Sequence, residues 1–279
     1  MSTNENKGKK AEVTALQAIS AEDRKDWISL AFVQAGICVC VPAFLLGALL
    51  AEAMPIWPAI ISGSLGYLIV VVGMVATGMI GCDLGLASCT CCQAGFGKSG
   101  ARFIVSTIFA VNMIGWFGIQ NGVCGEAFSN AMLAMTGWDI PVVVSNTIWG
   151  IIMLLTAVYG VHALEKLDKI SIPLLMIIMC YGIFLAFKVY GTGNLNDEGT
   201  VQSMSFMSGV ALSFNFTAVG TITGPDYTRF QKSRKDTVKS VFYGVFPMGV
   251  ITLIMGIVLT KLSGQYDISM VLIEVGLPL

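Results

Sequence analysis

The sequence predicts an all-α polytopic membrane protein, and three observations carry that prediction. Apolar residues make up 55% of the 279 and charged residues only 12%. Several uncharged stretches reach the roughly 18–20 residues that a helix needs to cross a bilayer. Lys and Arg are distributed unevenly between alternate connections, which is how a multi-spanning chain fixes its orientation. The net charge of −1 says nothing about nucleic acid, but membrane orientation accounts for the basic residues, so no electrostatic footprint remains for a polyanion.

In chain order, Met1 to Lys25 is polar and charged with no apolar core, so it reads as a tail and not a cleaved signal. Spans one and two are expected over 28–50 and 56–80, joined by a tight turn with Pro55 and Pro58. A Gly-rich linker over 81–100 leads to span three, 103–128. Gly137, Trp138 and Pro141 introduce span four, 142–161, and a charged link over 162–169 precedes span five, 170–187. A polar stretch, 191–200, separates span six, 204–223, from what precedes it. A charged loop over 224–239 then leads to span seven, 241–262, and 266–279 reads as an amphipathic segment or the start of an eighth span. Residues 1–27 are thus expected as an N-terminal tail and 28–279 as the transmembrane domain. Fourteen of the sixteen Lys and Arg fall on the tail's side, leaving only Lys188 and Lys261 opposite, so the amino terminus is expected in the cytoplasm.

Span three carries the first chemical signal, Gly115-Trp116-Phe117-Gly118-Ile119-Gln120. A glutamine at mid-membrane depth is costly without a partner and marks a candidate site. At 100° per residue Asn112, Trp116 and Gln120 share one helical face. That face offers an aromatic surface and carboxamides, which suits a planar polar ligand. Gly115, Gly118, Gly122 and Gly125 form a separate smooth stripe on which another helix could pack closely.

Two spans are flawed as helices. Pro42 interrupts span one in Gly36-Ile37-Cys38-Val39-Cys40-Val41-Pro42, because it lacks a backbone donor and obstructs the preceding turn. Span six contains Ser213-Phe214-Asn215-Phe216-Thr217-Ala218-Val219-Gly220-Thr221, rich in hydroxyls and β-branching. Unwound backbone survives at membrane depth only where it lines a cavity or binds something. Interrupted helices at corresponding positions of two inverted halves point to the central site of a secondary transporter. The plainer alternative is a proline kink and an ordinary Ser/Thr-rich helix.

The Gly220-Thr-Ile-Thr-Gly-Pro-Asp-Tyr-Thr-Arg-Phe230 stretch, together with Trp116 and Gln120, resembles the nucleobase:cation symporter-1 family of cytosine, purine, allantoin and hydantoin permeases. The resemblance extends from Trp27 to the end of the chain. It implies a leucine-transporter-type fold with a 5+5 inverted repeat, here truncated after seven of twelve spans. It also implies that Trp116 and Phe216 sandwich a nucleobase and that Gln120 bonds its amide edge. Ala218 and Gly220 would supply backbone contacts, and the carbonyls of Gly36 and Val39 part of a sodium site, as oxygen ligands suit a hard cation. The family keeps further sodium ligands and a substrate amide in span eight. Two departures are visible. Met113 stands where some cytosine permeases have glutamine, and Cys91, Cys92 and Gln93 occupy a region where an arginine is common.

The expected function is import of a nucleobase across the plasma membrane by cation symport, with no cofactor and with substrate and bilayer as the partners. A proton could replace sodium, although Glu52 and Glu126 fall at the outer edge. Asp226 lies at the cytoplasmic end, where pairing with Arg229 or capping a turn competes with a relay role. The alternatives are carriage of another heterocycle (allantoin, hydantoin, hydroxymethylpyrimidine) or of an amino acid on the same fold. A membrane enzyme would need clustered acids, histidine or a nucleophile with its base. Only Cys82, Cys89, Cys91 and Cys92 cluster, and without CxxC spacing they read as packing thiols, with metal or redox chemistry as the rival.

Overall fold

A computed structural model describes residues 16–158, 161–192, 195 and 204–276. Span one consists of α1 (Trp27–Cys38) and α2 (Val41–Ala53), and span two is α3 (Ile56–Leu84). Two short helices, α4 (Ser88–Cys91) and α5 (Gln93–Gly100), lead through a π-helical turn, Ala101–Val105, into α6 (Ser106–Thr136), which is span three. Then come α7 (Val142–Val158), α8 (Val161–Tyr190), α9 (Phe206–Thr217) with α10 (Val219–Thr228), α11 (Arg234–Ser263) and α12 (Ile268–Glu274). Among the described residues, five continuous helical stretches are long and apolar enough to cross a membrane. The α1–α2 pair makes a sixth crossing with a 52° bend, and α7 is a shorter apolar helix.

The connections are more helical than their composition suggests. The Gly-rich linker is mostly α4 and α5, turned at Gly97, whose φ of 68° is open to glycine at little cost. The charged link before span five is the first part of α8, and the loop after span six shrinks to a few residues between Thr228 and Arg234. Charged residues at these helix ends can project beyond the apolar layer, so polarity alone does not terminate a helix there. The polar stretch before span six falls largely outside the described residues.

The core is a bundle of spans one, two, six and seven. Leu46, Leu50, Tyr67, Met74, Leu253 and Ile257 are buried within it. Lipid tails are as apolar as leucine, so close packing and interhelical hydrogen bonds must hold such a bundle. At the α2–α11 crossing, a Cβ on Gly47 would overlap the Leu253 carbonyl, and one on Gly256 would overlap that of Phe44. Spans two and six lie parallel. Ser213 Oγ donates to the Gly63 carbonyl (2.7 Å) and Thr228 Oγ1 to that of Gly78 (2.7 Å), the same offset of 150 residues at both ends. Between them, Thr77 Oγ1 donates back to the Thr221 carbonyl at 2.6 Å.

Among the described residues, the smooth stripe on span three meets a neighbouring helix only at one end. A Cβ at Gly115, Gly118 or Gly122 would meet nothing within 4 Å, and only Gly125 is crowded, by Asn146 of α7. The glycines that allow close approach lie in spans one, two, six and seven. Span six is also less broken than its composition suggests. Ala218 interrupts it for one residue yet keeps helical angles (φ −55°, ψ −31°). Its hydroxyls donate to backbone carbonyls, within the span or across to span two, and so do not force it to unwind.

One end of the bundle is cross-linked by polar groups. Arg24 Nη1 donates to the carbonyls of Cys82 (3.0 Å) and Gln231 (3.1 Å). Lys232 pairs with Asp26 at 2.6 Å, and Arg234 grips both oxygens of Asp83. The Ser88 N–H donates to Asp226 Oδ1 at 3.0 Å, so Asp226 caps the start of α4.

Candidate functional site

The break in span one is sharp. Cys38 ends α1, Cys40 is extended (φ −145°, ψ 157°), and α2 starts at Val41 with Pro42 in its first turn, where a missing N–H costs nothing. The Ala43 N–H, which would bond the Val39 carbonyl in a continuous helix, bonds Cys40 instead (3.0 Å). Gly36 lies in the last turn of α1, and the donor its carbonyl would normally meet, the Cys40 N–H, lies in the extended break. Both carbonyls assigned to a cation on resemblance thus belong to the disrupted segment.

Between this break, the α9–α10 junction and α6 lies a cavity of about 350 Å³, within the usual size range of small-molecule sites. Trp116 and Gln120 from α6, Phe216 and Gly220 from span six, and Cys38 and Cys40 from span one all line it. Among the described residues, no Asp, Glu, His, Lys or Arg lines it. The Gln120 side chain approaches the Cys40 thiol. Thr217 and Thr223 also face the cavity, but their hydroxyls donate to the carbonyls of Ser213 (2.9 Å) and Val219 (3.1 Å).

Asn112 and Ala218 border a different space. They line a smaller cavity of about 230 Å³, with Asn215 nearby, and Trp116 belongs to the walls of both. The shared helical face of Asn112, Trp116 and Gln120 is therefore divided by the indole. The rings of Trp116 and Phe216 touch edge to face, with centroids 5.2 Å apart at 89°. In this arrangement they contact each other and leave no slot for a planar group between them.

Tyr67 is a group the sequence reading missed. It lines the larger cavity from α3, is fully buried, and its hydroxyl has no hydrogen-bond partner among the described residues. A polar ring in the middle of an apolar span was the available signal, by the same rule that singled out Gln120.

The cysteines outside the spans look chemically quiet. Burial pushes the Cys89 and Cys91 thiols up, with Cys92 and the Asp226 carboxylate adding to it, which disfavours the reactive thiolate. Among the described residues, no three His, Cys, Asp or Glu side chains converge as metal ligands.

Comparison with known proteins agrees with this geometry. A family described as permeases for cytosine/purines, uracil, thiamine and allantoin matches residues 19–275. The cytosine permease of Escherichia coli K12 is 28% identical over 258 residues, covering 91% of this chain and 59% of that protein. The purine-uracil permease of Arabidopsis thaliana is 25% identical, over 79% of this chain and 41% of its own length. Among solved structures, Mhp1, a nucleobase-cation-symport-1 family transporter in a closed conformation with bromovinylhydantoin bound, superposes with a TM-score of 0.83 at 18% identity. That match covers 95% of this chain and 61% of Mhp1 and shows the leucine-transporter-type fold. The chain thus spans about three-fifths, or less, of the length of these proteins.

Proposed function

The chain belongs to the permease family for cytosine/purines, uracil, thiamine and allantoin, and from that premise we propose that it is a secondary transporter importing a nucleobase by cation symport. The observation that carries this reading is the composition of the larger cavity: aromatic and aliphatic walls, one carboxamide and, among the described residues, no carboxylate, imidazole, ammonium or guanidinium group. A zwitterionic amino acid would lose the hydration of two charges there with no partner for either, which disfavours the amino-acid reading. A neutral heterocycle loses far less and gains an aromatic surface.

In this reading Trp116 and Phe216 part to admit the ring, exchanging their contact with each other for contacts with the ligand. Each aromatic pair contributes roughly 0.5–1.5 kcal/mol beyond area burial. Stacking scarcely distinguishes bases, since all have a π-face. Gln120 then selects, by offering both a donor and an acceptor to a neighbouring carbonyl and N–H. Gly220 presents backbone on the far side, while Asn112 and Ala218 act across the indole, where the ligand would pass on its way through. The carbonyls of Gly36 and Val39 contribute to a sodium site. Sodium bound at the break favours one conformation of span one over another, and that difference in affinity is what couples ion to substrate. A proton is the alternative driver.

We place the protein in the plasma membrane with its amino terminus cytoplasmic, residues 1–27 forming the tail and 28–279 the membrane domain, on the Lys and Arg distribution. The test is uptake of radiolabelled cytosine, uracil, adenine, hypoxanthine, allantoin and one neutral amino acid by cells expressing the gene, with sodium or choline outside. Saturable, sodium-dependent uptake of one nucleobase is expected. Uptake of the amino acid alone would overturn the reading, and equal uptake in choline would remove the sodium assignment.

A further inference from the structure

The polar groups of the larger cavity that remain unengaged decide what else a ligand can meet. Thr217 and Thr223 are occupied by their own helix. The Cys40 thiol lies 3.4 Å from the Ile37 carbonyl. Tyr67 differs from all three. Its ring is locked in the core, packed on α11 so closely that a Cβ at Gly249 would overlap it. Its oxygen, fully buried, has no partner among the described residues, yet it stands within electrostatic reach of Cys38 and Cys40 at the break in span one.

A buried hydroxyl without a partner is unfavourable, and phenylalanine would fill the same space without that cost. A tyrosine in this position makes sense if its partner arrives with the ligand. Gln120 from span three approaches the same Cys40, so Tyr67 from span two and Gln120 from span three both border the cavity beside the break in span one. We propose that the Tyr67 hydroxyl is a second substrate-binding group, donating to the polar edge of the heterocycle while Gln120 bonds alongside it. This rests on the permease reading and extends it by naming the residue that, with Gln120, sets which ring edge is accepted. A phenol can also accept a hydrogen bond, so the pair can meet a carbonyl, a ring nitrogen or an N–H.

Tyr67→Phe isolates the oxygen, because the ring and its contact with Gly249 stay. Uptake is measured for wild type, Tyr67→Phe and Gln120→Ala at matched surface levels, using cytosine, uracil, adenine and hypoxanthine, and ligand-free melting is followed in detergent. The expected result for Tyr67→Phe is a KM raised about tenfold for the preferred base, a changed ranking among the four, little change in maximal rate, and an unchanged or higher melting temperature. An unchanged KM and ranking in Tyr67→Phe, with Gln120→Ala impaired, would overturn this proposal while leaving the permease reading intact. A lowered ligand-free melting temperature would make the hydroxyl a structural bond donor and overturn it as well. If the wild type carries none of the four, the permease reading fails and this proposal falls with it.

Discussion

Replacing Gly256 by alanine tests the α2–α11 crossing directly. The new methyl group would lie more than 1 Å inside the 3.4 Å at which ordinary contact begins, against the carbonyl oxygen of Phe44. A backbone oxygen cannot rotate away, so the two helices must separate or tilt. Overpacking of this kind costs about 1–3 kcal/mol. At about 2–4 °C per kcal/mol for a domain of this size, the apparent melting temperature should fall by roughly 3–10 °C. Gly47→Ala presses on the same crossing from the other side, against the Leu253 carbonyl. The double variant should therefore lose less than the sum of the two, since one displacement relieves both clashes. Gly122→Ala is the control, because a Cβ there meets nothing within 4 Å. The assay is thermal unfolding of the purified protein in mild detergent, read by size-exclusion chromatography of what remains soluble. If Gly256→Ala melts with the wild type, or no lower than Gly122→Ala, the crossing is not as described and the reasoning fails.

Other expectations concern the cavity and the polar end. Gln120→Ala should raise the nucleobase KM about tenfold or more at normal surface expression, since it removes a carboxamide from the cavity; unchanged uptake would separate Gln120 from substrate. Exchanging Asp83 and Arg234 restores a bidentate pair with its charges reversed, so the double variant should regain whatever either single variant loses. Because the pair is largely exposed, the single losses should be small. Replacing Cys89, Cys91 and Cys92 together by serine should leave uptake close to wild type, and abolished uptake at normal expression would revive a metal or redox role. Peptide-resolved alkylation at pH 7.5 should label Cys89 and Cys91 more slowly in the native protein than in the unfolded chain. Their raised pKa keeps them as neutral thiols there, so the native rate should approach the unfolded rate only as pH rises; equal rates at pH 7.5 would contradict the burial.

The sequence by itself determined the class and the break in span one; of the seven crossings it expected, the fourth is a shorter apolar helix among the described residues. Apolar run length is dictated by bilayer thickness, and Pro42 cannot donate the bond a continuous helix needs wherever it is placed. It also marked Trp116 and Gln120, because costly polar and aromatic groups at membrane depth stand out against an apolar background, while Phe216 and Gly220, which line the same cavity, were marked by the family resemblance. Only the tertiary structure decided which glycines carry close packing. Gly115 and Gly47 look alike in one dimension and differ in whether a neighbouring backbone lies across them. The same holds for the hydroxyls of span six, which could have unwound the helix. They bond backbone carbonyls instead, because span two runs parallel at the right distance to accept from Ser213 and Thr228. Asn112 shares a helical face with Gln120, yet the width of the indole between them assigns the two amides to separate spaces. Tyr67 became visible only when its ring was found locked against Gly249 with its oxygen unpaired, since burial and partnership depend on what the fold brings near a residue.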